Sequence, residues 1–425
     1  MLRGTVRLRS FAFAGPPWIL LLALLLRADA LWGLALGWSL LLLVARLRSR
    51  RALGGLAARR EVYPNAFEGD EVSVDVVLEN RSTRAALLVE VGDSFGPGHA
   101  DRQSLLEPGP LPGRRRRRLR YRTACSRDWG HHSLGPLTLT GSDAAGLFPL
   151  SVPLGAIAGF SVFPRVHEVA GIERVGARPT LAPRDATVAR PGQSSAYMGV
   201  REWRPEDGLR RIHWPASARL GSLAVKEFEV DLEPQFVLFL DLERRHRAGT
   251  GRKSALEYVV RTAASLLWTA TQRGQSVAIH GASRSPVLVP PGRGEAHLAH
   301  ALDELIRVGM DGGEDVLDLV ERHRPALALG SSVAVLFATI RVDVGRVAAC
   351  LQALRERGAR PLLVFVNGDS FAPVDKWPLP RERLLRTQDA LRALLREHGV
   401  PGAILSAEHD LATELARADL FAEPE

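Results

Sequence analysis

Four polar residues lie where predicted strands end, and their oxygen atoms could bind a divalent cation. The apolar segment 235–240, QFVLFL, ends beside an aspartate and is typical of a strand buried within a parallel sheet. Ligands collect at the carboxyl ends of such strands, where the candidate metal ligands are Asp241, Glu243, Thr339 and Asp343. Hard oxygen atoms suit Mg²⁺, but Arg244 and Arg245 would place positive charge beside the ion. We therefore expect no metal or other cofactor, with Mg²⁺ as the alternative.

The segment 247–254, RAGTGRKS, follows a predicted strand and opens a predicted helix, as a phosphate-binding loop does. Its details do not fit, because Arg252 separates Gly251 from the lysine and His246 occupies a position that needs glycine. We expect no G-x-S-x-G nucleophile elbow and no carboxylate pair placed for acid–base chemistry. The sequence therefore predicts a protein that is not an enzyme.

Alternating strands and helices must position these side chains, and the predicted alternation covers residues 231–425. Six apolar segments are predicted strands: QFVLFLD, SVAIHG, PVLVP, SVAVLFAT, PLLVFVNG and GAILS. Six other segments have helical character: 254–272, 297–307, 314–324, 344–357, 381–398 and 408–417. Strands bounded by helices of this length predict a doubly wound α/β domain.

Residues 60–170 have the two-residue periodicity of half-buried strands, as in EVSVDVVLEN, and turn-forming clusters separate the periodic stretches. Regular short strands predict a β-sandwich of the immunoglobulin-like kind. The basic run 114–118 lies at the start of one of these strands, and no aromatic residue is interleaved before Tyr121. We interpret the run as a solvated edge strand, with contact to anionic lipid as the alternative.

Residues 1–51 contain two apolar runs, 11–26 and 30–45, separated by Arg27 and Asp29 with one alanine between them. Each run is slightly shorter than the roughly 20 residues that span a bilayer without tilt. Arginines flank both outer ends, which predicts a hairpin of two transmembrane helices with both ends, and residues 52–425, on the cytoplasmic side. The alternative is a cleaved signal peptide, but the second apolar run and its basic flank favour the membrane anchor.

The formal charge of +9 does not by itself indicate nucleic-acid binding. Almost all of the positive charge is arginine, since lysine occurs only at Lys226, Lys253 and Lys376, and acidic residues are interspersed with it. We attribute the basicity to composition and to proximity to a membrane, so we expect a membrane partner and no nucleic acid. Cys125 and Cys350 fall in different predicted domains and give neither a disulfide framework nor a zinc motif.

The segment 195–230 joins the two predicted domains and is dense in arginine, tryptophan and carboxylate side chains. It contains a turn before Leu209, a short helix that begins near Pro215 and ends at Gly221, and a strand over 223–230. Arginines can stack on tryptophan rings while they bind carboxylates. We interpret the segment as a brace between the domains, with a recognition surface for a partner as the alternative.

The same segment resembles the signature of the domain-of-unknown-function 58 (DUF58) family, a run of arginine, aspartate, isoleucine, tryptophan and serine-alanine-arginine at set spacings. The signature residues are Arg201, Trp203, Asp207, Arg210, Arg211, Ile212, Trp214, Ser217, Ala218 and Arg219. Trp203 stands where the family has tyrosine. The string RDWGHHSLGPLTLTGSDAAGLF, residues 127–148, is similar to a second string of this family.

The resemblance implies a bacterial inner-membrane protein whose C-terminal domain is von Willebrand factor A-like, with a degenerate ion site because both ligand serines are missing after Asp241. It also implies a MoxR-type AAA+ ATPase as partner, often with a transglutaminase-like membrane protein. We expect a membrane-anchored scaffold or adaptor in protein complex assembly or chaperone-type work. The alternative is a divalent-metal-dependent binding module, or less readily a hydrolase, that uses the residues at the strand ends.

Overall fold

The computed structural model divides the chain into two compact units, Met1–Arg165 and Val166–Glu425. It describes residues 2–86, 89–98, 103–106, 109–126, 128–143, 147–167, 169, 191–203, 212–229, 235–371, 381–408 and 410–416. Each unit has its own hydrophobic core.

The first unit begins with two helices, α1 (Leu2–Leu26) and α2 (Asp29–Leu53). Arg27 has a φ of 46°, a left-handed conformation that stops the first helix, so the predicted break is confirmed. The stretch Asp29–Leu47 is long and apolar enough to cross a membrane by length and composition, and the apolar part of α1 is shorter. At the far end of α2, Leu53 is buried in the core of the β-rich part, so helix and sheets pack together.

Ten strands complete the first unit and form three sheets. They are β1 (Leu56–Glu61), β2 (Asn65–Phe67), β3 (Glu71–Asn80), β4 (Glu90–Asp93), β5 (Gln103–Leu106), β6 (Arg116–Ala124), β7 (Gly130–Leu134), β8 (Thr138–Gly141), β9 (Leu150–Pro153) and β10 (Ala158–Phe163). The sheet orders are β1-β3-β6, β2-β10-β7 and β5-β4-β8-β9. Strand β3 coincides with the EVSVDVVLEN segment. Its inward residues Val74, Val76 and Leu78 join Val91 and Phe160 in one core cluster.

The arginine-rich strand β6 lies at the edge of its sheet, in agreement with the interpretation as a solvated edge strand. Alternate arginines on its exposed face each lie opposite a carboxylate from the neighbouring strands. The pairs are Arg116–Glu79 (2.9 Å), Arg118–Glu61 (3.0 Å), Arg120–Asp75 (2.6 Å) and Arg122–Glu71 (3.8 Å). Because the strands pair in this register, the carboxylates neutralise much of the positive charge of the arginine-rich strand.

The second unit begins with the family-signature segment, in which β11 (Pro191–Glu202) pairs antiparallel with β12 (Ala224–Glu229) around the short helix α3 (Trp214–Leu220). His213 caps this helix by accepting a hydrogen bond from the Ala216 backbone at 3.0 Å. Gly221, with a φ of 72°, ends it. The predicted short helix and following strand are therefore confirmed, and the predicted turn lies outside the described residues.

A six-stranded sheet with helices forms the remainder. In chain order the elements are β13 (Gln235–Leu240), β14 (Gly249–Thr250), β15 (Lys253–Ser254), α4 (Ala255–Gln272), β16 (Ser276–Gly281), β17 (Val287–Gly292), α5 (Gly294–Leu305), α6 (Val316–His323), β18 (Ser332–Phe337), α7 (Val344–Glu356), β19 (Arg360–Val366), α8 (Arg381–Glu397), β20 (Gly402–Leu405) and α9 (Leu411–Ala416). The sheet order is β17-β16-β13-β18-β19-β20, and only β17 runs antiparallel to its neighbour. The six predicted strands are all present.

This sheet order places a topological switch point between β13 and β18, because the chain winds outward in both directions from β13. Both faces of β13 are buried: Val237 and Phe239 pack in the cluster that includes α6 and α7, and Leu238 on the other face is also fully buried. Two-sided burial explains the continuous apolar run in the sequence. The crevice at the switch point is the usual ligand position in such sheets, and Asp241 lies there.

Candidate functional site: a polar cavity at the switch point

A cavity of about 440 Å³ opens at the carboxyl ends of β13 and β18, beside the first turns of α6 and α7. Its lining combines three carboxylates, of which one is buried, with a histidine and three arginines. The lining residues are Asp241, Arg245, His246, Asp315, Val316, Leu317, Phe337, Arg341, Val342, Asp343 and Arg346. The strands fix the floor of the cavity, and the helix starts fix one wall.

Asp241 is the most enclosed polar group of the cavity, with only 1% of the residue exposed. Its Oδ2 accepts a hydrogen bond from the Ala338 backbone at 3.0 Å, across the switch point, and its Oδ1 accepts one from the Glu243 backbone at 3.1 Å. His246 Nδ1 donates to Oδ2 at 2.8 Å, since a carboxylate can only accept. These contacts compensate the cost of burying the carboxylate.

A single 3-10 turn, Arg244–His246, returns the histidine to the aspartate that ends the strand. The turn is held to a second loop, because the Arg244 backbone donates to the Gly312 carbonyl at 2.8 Å and the Gly312 backbone donates to the Leu242 carbonyl at 3.0 Å. A Cβ atom at Gly312 would lie 1.9 Å from the Ala282 carbonyl oxygen, so only glycine fits.

Glu243 directly precedes the turn, with 9% of the residue exposed. Its Oε1 forms an ion pair with Arg245 Nε at 2.7 Å. Its Oε2 is buried and has no hydrogen-bond partner within the described part of the chain, and it lies 3.9 Å from His246 Nε2. A buried, unpartnered carboxylate oxygen is costly, so this atom distinguishes the cluster from an ordinary structural ion pair.

The rim of the cavity carries ion pairs between loops and helices. Arg346 contacts Asp315 at 2.9 Å and Asp318 at 2.6 Å, and these carboxylates raise the pKa of its guanidinium. Arg341 lies 3.5 Å from Asp369, whose pKa is raised by burial despite this neighbouring charge. The rim therefore presents both signs of charge.

The structure brings some of the predicted metal ligands together. Asp241 and Glu243 belong to one cluster, whereas Asp343 lines the same cavity with its Oδ1 capping α7 through the Gly345 backbone at 2.9 Å. Thr339 is 2% exposed, and its hydroxyl accepts from the Arg341 backbone at 3.1 Å.

Sequence reasoning missed His246 as a site residue and used it only against a phosphate loop. The available signal was a histidine five positions after a strand-ending aspartate. The rejected phosphate loop instead forms the β14–β15 hairpin, whose strands pair Gly249 with Ser254 and Thr250 with Lys253.

The expectation that no G-x-S-x-G string occurs is wrong, because Gly92, Asp93, Ser94, Phe95 and Gly96 have this spacing. The segment follows β4 and leads into a turn rather than a helix, so it lacks the strand–turn–helix geometry of an elbow. Asp93, the residue before the serine, is buried in an ion pair with Arg60.

The signature residues divide by exposure. Ile212 and Ser217 are buried, and Ser217 Oγ accepts a hydrogen bond from the Ala224 backbone at 2.9 Å, which ties α3 to β12. Trp203 is half-buried, whereas Trp214 is 65% exposed, and Ala218 and Arg219 are exposed. Asp207, Arg210 and Arg211 lie outside the described residues, as does the side chain of Arg201. The choice between a brace and a recognition surface stays a prediction.

Fold and site together define an α/β domain with a polar cavity at its switch point, joined to a β-rich unit that begins with an apolar helix pair. Residues 199–387 match the family described as "Protein of unknown function DUF58". This match confirms the resemblance seen in the sequence, and the chain carries a DUF58 region over these residues.

Similarity to individual proteins is lower. The uncharacterized protein YeaD of Bacillus subtilis is 26% identical over 123 residues, which are 29% of this chain and 29% of that relative, so the match spans under a third of its length. A CARDB domain from Pyrococcus furiosus has a TM-score of 0.19 at 11% identity over 26% of this chain and 87% of that chain. An alkylpurine DNA glycosylase of Pseudomonas fluorescens has a TM-score of 0.18 at 14% identity, covering 32% and 40%. No argument rests on TM-scores this low.

Proposed function

We propose that this protein is a membrane-anchored, non-enzymatic adaptor that works with a MoxR-type AAA+ ATPase in complex assembly or chaperone-type activity. The observation that carries the proposal is the switch-point cavity, whose rim alternates Arg341 and Arg346 with Asp315 and Asp343. A rim with both signs of charge on a rigid sheet suits a protein surface of complementary charge pattern, where electrostatics select the partner.

The topology of the second unit supports a von Willebrand factor A-like domain as the recognition module. Numbered along the chain, the six strands of its main sheet have the order 3-2-1-4-5-6, and the third is an antiparallel edge strand. The first unit, with three sheets around one core, is proposed to be an immunoglobulin-like β-sandwich.

The helix pair is proposed to cross the inner membrane twice, with both ends in the cytoplasm, because arginines flank both outer ends. Helix α2 continues directly into the β-rich unit: Leu53 lies in its core, and Ser49 Oγ donates to the Phe148 carbonyl at 2.6 Å. Such a connection supports a short, ordered tether, which would hold the first unit close to the bilayer surface.

The identity of the partners comes from the family resemblance. Proteins of this family accompany a MoxR-type ATPase, and often a transglutaminase-like membrane protein, which we propose as a second partner. An adaptor needs no catalytic group, and the arginines of the rim are engaged in ion pairs that shape a surface.

Association with the ATPase tests the proposal. The full-length chain in detergent is used to capture the cognate ATPase with ATP, with ADP and without nucleotide. We expect capture in at least one nucleotide state, and we expect Arg341→Glu at the cavity rim to weaken it at least tenfold. Arg392→Glu, on the exposed side of α8, is the matched control and should capture normally. Absence of capture in every nucleotide state would contradict the proposal, and equal capture by both variants would exclude the cavity rim as the contact surface.

A further inference from the structure

We propose that Asp241, Glu243 and His246 bind a divalent transition-metal ion, with Zn²⁺ the preferred ion, at the floor of the cavity. The site differs from the all-oxygen magnesium set expected from the sequence, because a histidine nitrogen joins two carboxylates. Ion binding here does not depend on the proposed ATPase partner.

The geometry of the three side chains is the first observation. Each residue offers one ligand atom, and these atoms all lie within 4.8 Å of one another. Ligands that share a zinc ion at about 2.0–2.2 Å lie roughly 3–4 Å apart. Small side-chain rotations therefore close the cluster on an ion.

The free oxygen of Glu243 is the second, independent observation. The residue is nine-tenths buried, its Oε1 is bound by Arg245, and its Oε2 has no hydrogen-bond partner among the described residues. The same atom lies 3.9 Å from His246 Nε2, so it points toward the other members of the cluster. An ion bound between them would give the buried oxygen the partner that it lacks.

The hydrogen bond between Asp241 and His246 holds the imidazole beside the carboxylate. Nδ1 lies 2.8 Å from Asp241 Oδ2, and Nε2 lies 3.9 Å from Glu243 Oε2, so the ring stands between the two carboxylates. An ion shared by Asp241 and His246 would replace the proton between them, because metal ligands must be deprotonated.

The ligand types select the ion. Magnesium requires oxygen ligands in octahedral geometry and keeps its waters, whereas imidazole nitrogen suits zinc and its neighbours. Arg245 places positive charge beside the site and would repel a cation. Its guanidinium lies 3.6 Å from Asp315, and this carboxylate offsets part of the repulsion. The remaining coordination positions would open to the cavity.

Direct titration tests the proposal. The full-length chain in detergent is stripped with a chelator and titrated calorimetrically with Zn²⁺, Mn²⁺ and Mg²⁺. We expect one Zn²⁺ per chain, with Mn²⁺ weaker as the usual stability order requires, and Mg²⁺ at least tenfold weaker than Zn²⁺. Equal affinity for Mg²⁺ and Zn²⁺, or no saturable Zn²⁺ binding, would overturn the assignment.

Two variants assign the ligands. His246→Ala and Glu243→Gln should each weaken Zn²⁺ binding by more than about tenfold, since even partners outside the ligand shell contribute that much. Glutamine has the same shape as glutamate, and Glu243 Oε2 has no hydrogen-bond partner among the described residues. The Glu243→Gln protein should therefore remain folded, as measured by circular dichroism. His398→Ala, at the end of α8, is the matched control and should bind Zn²⁺ normally. Unchanged affinity in both site variants would overturn the proposal.

Discussion

Each unit buries a polar cluster around an aspartate, and the two clusters differ in how their charges are balanced. In the β-rich unit, Asp93 is fully buried and forms a two-point ion pair with Arg60, whose side chain is 4% exposed. Tyr121 donates to Asp93 Oδ2 at 2.7 Å, and burial followed by this hydrogen bond raises the pKa of the phenol far above its usual range. Arg60 also contacts the Ala156 carbonyl at 3.3 Å.

In the α/β unit, by contrast, the cluster of Asp241, Glu243 and His246 lies beside a cavity, and one of its carboxylate oxygens has no hydrogen-bond partner among the residues that the structure describes. Each cluster is built on an aspartate that ends a strand or directly follows one. In the first cluster, the Arg60 guanidinium balances the charge of Asp93, and each Asp93 oxygen has a hydrogen-bond partner. This cluster therefore stabilises the folded state. The second has an excess of negative charge and an open side, which is the arrangement expected of a binding site.

Removal of Asp93 should have the largest effect. Asp93→Ala leaves the Arg60 guanidinium buried without its counter-charge, which is expected to cost about 3–5 kcal/mol of unfolding free energy. Denaturant unfolding of the full-length chain measures this loss, and hydrogen exchange should locate it in β1, β4 and β6. Asp389→Ala, on the exposed side of α8, is the control. A loss below about 1 kcal/mol would show that the ion pair is not important for stability.

Acid should affect the α/β unit through a buried histidine. Burial, with His323 as a secondary cause, lowers the pKa of His280 from 6.5 to about 4. The unfolded chain therefore binds more protons between these pH values, so this contribution is intact above pH 6.5 and stability falls as the pH drops toward 4. His280→Phe retains the stack on Phe239, which has ring centroids 5.0 Å apart, and should reduce the slope. Melting temperatures over this pH range measure it, and equal slopes would refute the assignment to His280.

The isosteric change Glu243→Gln should have a small effect on stability without metal. It removes a buried charge whose Oε2 has no hydrogen-bond partner in the described part of the chain, so we expect the unfolding free energy to change by no more than about 1 kcal/mol in either direction. Asp93→Asn is the matched change in the other cluster and should cost at least about 3 kcal/mol, since Arg60 stays charged and buried. Denaturant unfolding of both variants in chelator gives the comparison. Equal losses would show that the two clusters have the same role.

The smallest effect is expected on the exposed sheet face. Arg120 and Asp75 form a two-point ion pair with distances of 2.6 and 2.9 Å, the same chemistry as the buried Arg60–Asp93 pair. The Arg120 side chain is 59% exposed, so water and salt screen the interaction. Arg120→Gln should leave the melting temperature of the chain unchanged within error. A decrease as large as that of Arg60→Gln would contradict the role assigned to burial.

Much of the fold could be predicted because local pattern determines element type. Strands β3 and β13 follow from a two-residue alternation and from a continuous apolar run, which reflect burial on one face and on both faces. The helix break at Arg27 follows from the charged residues that interrupt the apolar run, and the glycine end of α3 follows from the backbone freedom of glycine. Predicted and observed helix ends differ by up to three residues because capping depends on nearby loops, as at Asp343.

The candidate site could be predicted only in part. Asp241 was found because it directly follows a buried strand, and Glu243 because it is two residues away. The contact with His246 depends on a 3-10 turn anchored to Gly312, a residue about 70 positions further along the chain. No local pattern contains that anchor, so the histidine could not be assigned to the cluster from sequence.

The sequence by itself determined the apolar helix pair, the strand-rich and alternating halves, the position of the carboxyl edge and the family signature, because each depends on residues close together in the chain. The tertiary structure alone decided which charges are balanced. It paired the arginines of β6 with carboxylates across the sheet and buried Arg60 against Asp93 from 33 residues away. It also left Glu243 Oε2 without a hydrogen-bond partner among the described residues. Charge balance depends on distance and burial in space, and these are set by how strands and loops from remote parts of the chain come together.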